Sequence, residues 1–555
     1  LISSLYSIQQ LLSALKALPV SDRLNCILSP GSRNAPITTS LWYDEAFHCT
    51  VIKDERSAGF IALGSALATG EPSLLRCTSG TAALNYAPAI AEAYYQKIPL
   101  IIVTADRPVH RIDQGEGQSI RQHLMYSNYV QSSYQLVSSD PLQNQSNQNQ
   151  EILEQVCMDL VNYRRPVHLN VPLDEPLYDF QEKAERMTAI SLSKIKPVPN
   201  PVLFKSLKRD LKESKKIAVF IGQRPGAKLS NLQISAWADN GVLFLHESLG
   251  NFYEVKAYHK TSISLSFLSE EDKISLYPDI LITTGGAIIS KALRKWIKAY
   301  GPAHHYHVDE DYFDPDTFEM NVMHVQMPFG ALLEQVQPAP GPEYVAFYQR
   351  VSQKNVEAFN YKLEKEPFCD LRVFEFLARQ SRADDHYHLA NSTPVRYFDL
   401  FDFKYVRVQS NRGVGGIDGC TSTALGYSQC SSGKQIVITG DMAFFYDSNA
   451  FWNELRKKNI LIILINNGGG NIFRIIQGPD KTNAVATLFE SAYYRTAAHW
   501  CADHQVHYQR VQDIGQLRGQ YKNVITKNGP CLLEIFTDAS VNEAVYKRIM
   551  YNSDS

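Results

Sequence analysis

The sequence predicts an α/β protein of three domains, each built on a mostly parallel central sheet. Three observations carry this. Short apolar runs, such as 436–439 and 460–465, recur along the 555 residues, and helical spacing follows most of them. Many of the runs stop at a glycine, serine or aspartate, as strands do when they feed a helix. Two proline-rich stretches, 193–201 and Pro338-Ala339-Pro340-Gly341-Pro342, divide the chain into units at 1–185, 195–337 and 344–555.

Composition narrows the function. Hydrophobic residues make up 44% and charged residues 20%, an ordinary globular balance. A net charge of −2 argues against a nucleic-acid partner, whose electrostatic footprint would be a basic domain. Nine cysteines are scattered through apolar surroundings with no C-x-x-C pair, and read as reduced core residues. The longest apolar runs are far too short to span a bilayer, so no integral membrane segment is expected. The first residues lack the basic region and apolar core of a secretory signal, and the expected compartment is the cytoplasm. The chain opens on Leu1, read as the mark of a removed residue or tag.

In the first unit an amphipathic helix closes over 11–18. Strands are expected at 25–28, entering Ser29-Pro30-Gly31-Ser32-Arg33, and at 49–53, 73–77, 100–104 and 167–171. The polar tract 141–150 reads as a solvated loop. The second unit has strands at 217–221, 242–245, 279–283 and 305–308. Lysines 205, 208, 212, 215 and 216 read as a solvated helix face. The 222–226 turn lacks dinucleotide spacing, and His304-His305-x-His307 has no further ligands at metal spacing. The third unit has strands at 387–390, 406–409, 436–439, 460–465 and 532–536, with helical spacing over 446–458. The first and third units share the strand-then-glycine habit, which suits two related sheets pairing across one site.

The strand 436–439 runs into Gly440-Asp441-Met442-Ala443, and 460–465 runs into Asn466-Asn467-Gly468-Gly469. A helical crossover between them brings Asp441 and Asn467 to one sheet edge, where parallel sheets bind ligands. An acid, an amide and a glycine carbonyl there suit a hard cation such as Mg²⁺, with Mn²⁺ as the alternative. The pairing resembles the thiamine diphosphate motif, normally Gly-Asp-Gly followed by Asn-Asn. Met442 replaces its third glycine, which is tolerable where residues offer backbone N–H groups to a diphosphate and the side chain points away. Asp54-Glu55-Arg56 follows the strand 49–53. An acid there could simply start a helix. The thiamine resemblance instead implies that Glu55 hydrogen-bonds the cofactor's pyrimidine and activates it. Glu55 would then reach a cofactor held by the third domain of a neighbouring chain.

Further blocks occur in order: Ser29-Pro30-Gly31-Ser32-Arg33, Thr78-Ser79-Gly80-Thr81, Thr104-Ala105-Asp106-Arg107-Pro108, Gln118-Ser119-Ile120-Arg121-Gln122, Asn391-Ser392-x-x-Val395-Arg396 and Asn411-Arg412-Gly413-x-x-Gly416-Ile417-Asp418-Gly419. Together with the thiamine motif they resemble the 2-succinyl-5-enolpyruvyl-6-hydroxy-3-cyclohexene-1-carboxylate synthase family (MenD) of menaquinone biosynthesis, over essentially the whole chain. The resemblance implies the three-domain architecture of thiamine diphosphate enzymes. It also implies decarboxylation of 2-oxoglutarate and Stetter-like addition of the remainder to isochorismate, by a homodimer at minimum, with a dimer of dimers expected.

For the cofactor the resemblance implies Glu55, Thr81, Ile417, Gly440, Asp441, Met442, Ala443, Asn467, Gly469 and Ile472, with Asp441, Asn467 and Gly469 on the metal. For substrates it implies Ser32, Arg33, Arg107, Gln118, Lys291, Asn391, Ser392, Arg396, Arg412, Ile472 and Phe473. Ile417 would keep the cofactor bent. Gly117 stands where some members carry asparagine. The arginines support the substrate class independently, because Arg33, Arg107, Arg396 and Arg412 all fall at or just after expected strand ends. Guanidinium forks match carboxylates bidentately. The rival readings are another thiamine decarboxylase, an acetohydroxyacid-synthase-like carboligase, and a non-catalytic binding protein of the same fold.

Overall fold

The computed structural model describes residues 1–137, 143–224, 231–252, 261–311, 316–404, 406–476, 478–479, 482 and 484–551. Strands come in chain order. The first group is β1 (Ile2–Ser3), β2 (Leu24–Leu28), β3 (Phe47–Val51), β4 (Ser73–Cys77), β5 (Leu100–Asp106), β6 (Ser132–Gln135), β7 (Val167–Pro172) and β8 (Phe180–Gln181). The second is β9 (Ile217–Ile221), β10 (Leu243–His246), β11 (Ile280–Thr284), β12 (His304–Asp309) and β13 (Met323–Gln326). The third is β14 (His386–Leu389), β15 (Arg407–Ser410), β16 (Gln435–Gly440), β17 (Ile460–Asn466), β18 (His507–Val511) and β19 (Cys531–Phe536).

β1 and β8 form a small antiparallel pair. The other strands make three wholly parallel sheets, ordered β3-β2-β4-β5-β7-β6, β10-β9-β11-β12-β13 and β15-β14-β16-β17-β19-β18. The first and third orders are the same permutation, so the first and third domains share one topology. Their inner strands are buried on both faces, which explains continuous apolar runs such as Ile-Leu-Ile-Ile-Leu-Ile in β17.

The first and third sheets share one hydrophobic core, which joins Ile27, Leu75 and Ile102 to Val437, Ile462 and Leu532. The seam is the Glu55–Thr69 helix lying on the Cys420–Cys430 helix. A side chain at Gly64 would overlap the Thr423 carbonyl, and one at Gly426 the Ile61 carbonyl, so glycine sets this close approach. The middle domain is stitched to both neighbours. Gln223 Nε2 donates to Gln96 Oε1 at 3.0 Å and to the Ser410 carbonyl at 2.8 Å.

The structure departs from the sequence reading in four places. Within the tract 141–150, residues 143–150 begin the Gln143–Tyr163 helix rather than a loop, while 141 and 142 lie outside the described residues. Asn149 turns inward, accepting Val137 N–H at 2.8 Å and donating to its carbonyl at 3.3 Å. The stretch 446–458 is not one helix. Asp447 breaks it by accepting both the N–H and the hydroxyl of Ser422 at 2.7 Å, and Asn453 caps a new turn at Leu455. The Pro201–Glu213 helix stops before Lys215 and Lys216, so only three of the five lysines lie on it. Strands β6, β13 and β18 were not expected. All three are polar edge strands, without the apolar run that marks a strand covered on both faces. Two residues of the 222–226 turn, 225 and 226, lie outside the described residues.

Candidate active site

Gly440 of β16 lies in register with Ile465 of β17, so Asp441 and Asn467 leave neighbouring strands at one edge. Asp441 is buried and opens the Asp441–Tyr446 helix. Its carboxylate accepts the Met442 N–H at 2.8 Å and those of Gly468 and Gly469. Burial outweighs these donors and pushes its pKa up to about 7. Asn467 Nδ2 donates to Asp370 Oδ2 at 3.0 Å, while its buried Oδ1 has no hydrogen-bond partner among the described residues. An acceptor left open inside a protein is costly unless something fills it.

The Gly469 carbonyl accepts the Asn471 N–H at 2.9 Å and keeps a second lone pair. Gly469 has φ of 147°, and a Cβ there would come within 2.7 Å of the Glu490 carbonyl. One carboxylate, one amide oxygen and one carbonyl therefore lie on the segments that leave β16 and β17 side by side, a donor set that fits a hard cation with phosphate and water as its remaining ligands. Among the described residues no group of three histidine, cysteine, aspartate or glutamate side chains could hold a metal. Met442, the residue that departs from the motif, is 37% exposed and leaves this edge uncrowded.

Asp54 and Glu55 divide the work at the start of their helix. Asp54 is the cap, accepting the Ser57 N–H at 3.1 Å, and it also takes Asn449 Nδ2 at 2.7 Å. Glu55 is left half-buried, and among the described residues only its own backbone N–H bonds its carboxylate. Burial, and then the charge of Asp54, raise its pKa. An acid so placed is ready to share a proton with a ring nitrogen.

On the third domain, Asn391 Nδ2 donates to the carbonyls of Asn411 and Gly416, both at 2.6 Å, and its Oδ1 accepts Arg412 Nη1 at 3.0 Å. Asn391 thus positions Arg412 and the loop that carries Ile417. Ile417 packs on Ala390, Cys420 and Ala443. Ser392 holds φ of 77°, a strained backbone for a serine, and its carbonyl accepts Arg396 Nη1 at 2.6 Å. The Nε atoms of Arg396 and Arg412 are buried without hydrogen-bond partners among the described residues. Burial, then the neighbouring charge of Arg412, lowers the pKa of Arg396; burial also lowers Arg412, against the pull of Glu247 and Glu92. Lys291 is largely exposed; partial desolvation of its ammonium, and then the charge of Arg396, lowers its pKa. Guanidinium groups crowded together with open donors are a receptor for anions.

The first domain carries two further arginines. Arg33 is buried, donates to the Leu173 carbonyl at 3.1 Å and lies 3.4 Å from Glu175. Arg107 donates to the Gly117 carbonyl at 3.0 Å and lies 3.5 Å from Glu116. Ser32, Thr81 and Gln118 are exposed nearby in sequence, Gln118 with φ of 56°. Among the described residues no hydrogen bond or ion pair joins Arg33, Arg107 or Glu55 to Arg396, Arg412 or Asp441. Ile472 and Phe473 are half-buried on the Ile472–Ile475 helix, where Phe473 meets Phe489 at 5.8 Å between ring centroids. Arg474 holds that region through a bidentate pair with Glu490 at 2.6 and 2.7 Å.

Sequence reasoning missed Asp370, Glu92 and Glu490. Glu92 is buried and accepts three successive N–H groups, those of Gly413 (2.6 Å), Val414 (2.7 Å) and Gly415 (3.4 Å), so a first-domain acid grips the Arg412 loop. Its position inside the Ala87–Gln96 helix gives no local signal of that contact.

The two parallel domains and the Asp441–Asn467 edge define a thiamine diphosphate enzyme. Family models agree at both ends: residues 9–125 match the thiamine pyrophosphate enzyme N-terminal TPP binding domain, and 400–535 match the C-terminal TPP binding domain. The chain belongs to the 2-succinyl-5-enolpyruvyl-6-hydroxy-3-cyclohexene-1-carboxylate synthase family. It is 34% identical to the synthase of Flavobacterium psychrophilum, over 94% of each chain. It is 39% identical to that of Porphyromonas gingivalis, over 84% of this chain and 83% of the relative. The synthase of Bacteroides fragilis is 32% identical over 98% of both.

Proposed function

We propose that this chain uses thiamine diphosphate and Mg²⁺ to decarboxylate 2-oxoglutarate and add the remaining succinyl unit to isochorismate. The product is 2-succinyl-5-enolpyruvyl-6-hydroxy-3-cyclohexene-1-carboxylate, in menaquinone biosynthesis. One observation carries the reading: a line of contacts runs from the Asp441 edge through Ala443 and Ile417 to Asn391 and the open guanidinium of Arg412. That line joins the residues read as a cofactor anchor to those read as a dicarboxylate receptor, which supports the reading.

Bound cofactor supplies the electron sink for loss of CO₂ and for carbon–carbon bond formation. Asp441, Asn467 Oδ1 and the Gly469 carbonyl hold the metal. Glu55 shares a proton with the pyrimidine ring, and Ile417 shapes the space beside it. Arg396, Arg412 and Lys291, with Arg33, Arg107, Ser32 and Gln118, hold substrate carboxylates, and Ile472 and Phe473 exclude water. The first-domain set and the third-domain set meet across two copies of the chain, which accounts for a Glu55 carboxylate bonded by no side chain among the described residues. Boundaries at 185, 195, 337 and 344 separate the three units. Nine free cysteines suit a reducing cytoplasm.

The test is to incubate the protein with thiamine diphosphate, Mg²⁺, 2-oxoglutarate and isochorismate and follow isochorismate absorbance. Loss that needs all four components is expected. CO₂ release with isochorismate untouched would mean a plain decarboxylase instead.

A further inference from the structure

The Lys291–Tyr300 helix starts beside the third domain, and its first turn is firmly held. Ser290 caps it by accepting the Leu293 N–H at 3.1 Å. Glu247, buried just after β10, accepts the Ile289 N–H on Oε2 at 2.6 Å and the Ser290 N–H on Oε1 at 2.5 Å. The next residue, Ser248, donates its N–H and hydroxyl to Asp399 Oδ1 at 2.8 and 3.0 Å. Asp399 directly follows the Thr393–Phe398 helix that carries Arg396. Asn251 bonds both the N–H (2.8 Å) and the carbonyl (2.9 Å) of Val408 on β15, the strand that leads to Arg412. One turn of the middle domain is thereby stitched to both arginine-bearing segments.

Lys291 and Arg294 lie three residues apart on that first turn, a spacing that makes them neighbours on the helix surface. Arg294 is half-buried, and its guanidinium has no hydrogen bond or ion pair among the described residues. Its charge is felt by Lys291, Arg396 and Arg412, each already lowered chiefly by burial. The oxygens of Glu247 are spent on backbone N–H groups, so that acid orders the turn without pairing directly with Arg294. Glu247 and Glu92 offset part of the repulsion among these four cations, and a bound dianion would offset more.

We propose that Arg294 is a substrate-binding residue, which with Lys291, Arg396 and Arg412 forms a two-domain cradle for a dicarboxylate, and that Glu247 is the positioning residue that sets it there. This rests on the functional reading above. It adds a cation that neither the motifs nor the spacing singled out, and gives the middle domain a second substrate contact beside Lys291.

The test uses the full chain with thiamine diphosphate and Mg²⁺. Glutarate, which has the length and charge of 2-oxoglutarate without its keto group, and isochorismate are titrated separately by calorimetry. Wild type, R294A, R294K and E247Q are compared, with melting temperatures recorded for each. R294A is expected to weaken at least one dicarboxylate about tenfold or more, the loss of one charge-assisted contact. R294K should recover part of it, and binding of the monocarboxylate pentanoate should not change. E247Q, which sets an amide NH2 against one of those backbone N–H groups, should melt lower than wild type and weaken the same ligand while leaving pentanoate binding unchanged. Glutarate and isochorismate affinities both within twofold of wild type in R294A would overturn the Arg294 assignment alone. An unchanged E247Q beside a weakened R294A would overturn only the positioning role. A wild-type protein that binds neither dicarboxylate would overturn the functional reading and this inference with it.

Discussion

Asp370 Oδ2 accepts a 3.0 Å hydrogen bond from Asn467 Nδ2, and that bond leaves Asn467 Oδ1 as the free atom of the amide. Asp370 is buried and also takes the Thr537 hydroxyl at 2.6 Å, so its own position is fixed. A carboxylate only accepts, which dictates the amide's orientation. Replacing Asp370 with alanine should therefore weaken Mg²⁺ binding by about 10–100-fold, the usual loss when a group orienting a metal ligand is removed. Titration of Mg²⁺ in the presence of thiamine diphosphate measures this, and an unchanged affinity would separate Asp370 from the metal.

Glu55→Gln should abolish isochorismate consumption while leaving thiamine diphosphate bound, because it removes a proton-sharing acid and no diphosphate contact. Asp441→Asn should lose the cofactor itself. If the two halves of the site come from different chains, mixing and re-associating these two inactive variants restores part of the activity. Mixtures that stay inactive, despite proven exchange of subunits, would put Glu55 and Asp441 of one chain in one site.

Arg396→Ala is expected to lower kcat/KM for at least one dicarboxylate substrate by about tenfold or more, because a buried guanidinium donor is lost from the receptor. An exposed arginine in a surface pair would change it far less. Steady-state kinetics with each substrate varied in turn decide between the two.

The buried carboxyls Glu247 and Asp399 have pKa values pushed up to about 8 and about 6, first of all by burial. An acid whose pKa is raised in the folded state binds protons more tightly folded than unfolded. Its protonation therefore favours the native chain, and stability falls as pH rises from the ordinary carboxylate range through those values. Denaturant unfolding of the cofactor-free protein should show stability declining up to about pH 8. Glu247→Gln should flatten the upper part of that decline, and an unaltered pH slope in that variant would mean that Glu247 ionises freely.

The sheets were legible wherever both faces are covered, since β16 and β17 carry unbroken apolar runs, 436–438 and 460–465, and end at a recognisable turn. Edge strands such as Ser-Ser-Tyr-Gln in β6 were not, because half their surface faces polar partners such as Asp159. Asp441 and Asn467 could be found because their role follows from local sequence at two strand ends. Glu92 and Asp370 could not, since an acid within or at the start of a helix is routine, and only tertiary folding brings them to Gly413 and Asn467. Arg294 was hidden for the same reason, as one basic residue among several on a helix.

The most direct measurement follows carbon through the reaction. The protein is supplied with thiamine diphosphate, Mg²⁺, isochorismate and 2-oxoglutarate labelled with ¹³C at every carbon, and the products are weighed by mass spectrometry. The expected result is labelled CO₂ from the carboxylate next to the keto group, and a single adduct of isochorismate carrying all the other labelled carbons. Labelled succinic semialdehyde beside unlabelled, unconsumed isochorismate would contradict it.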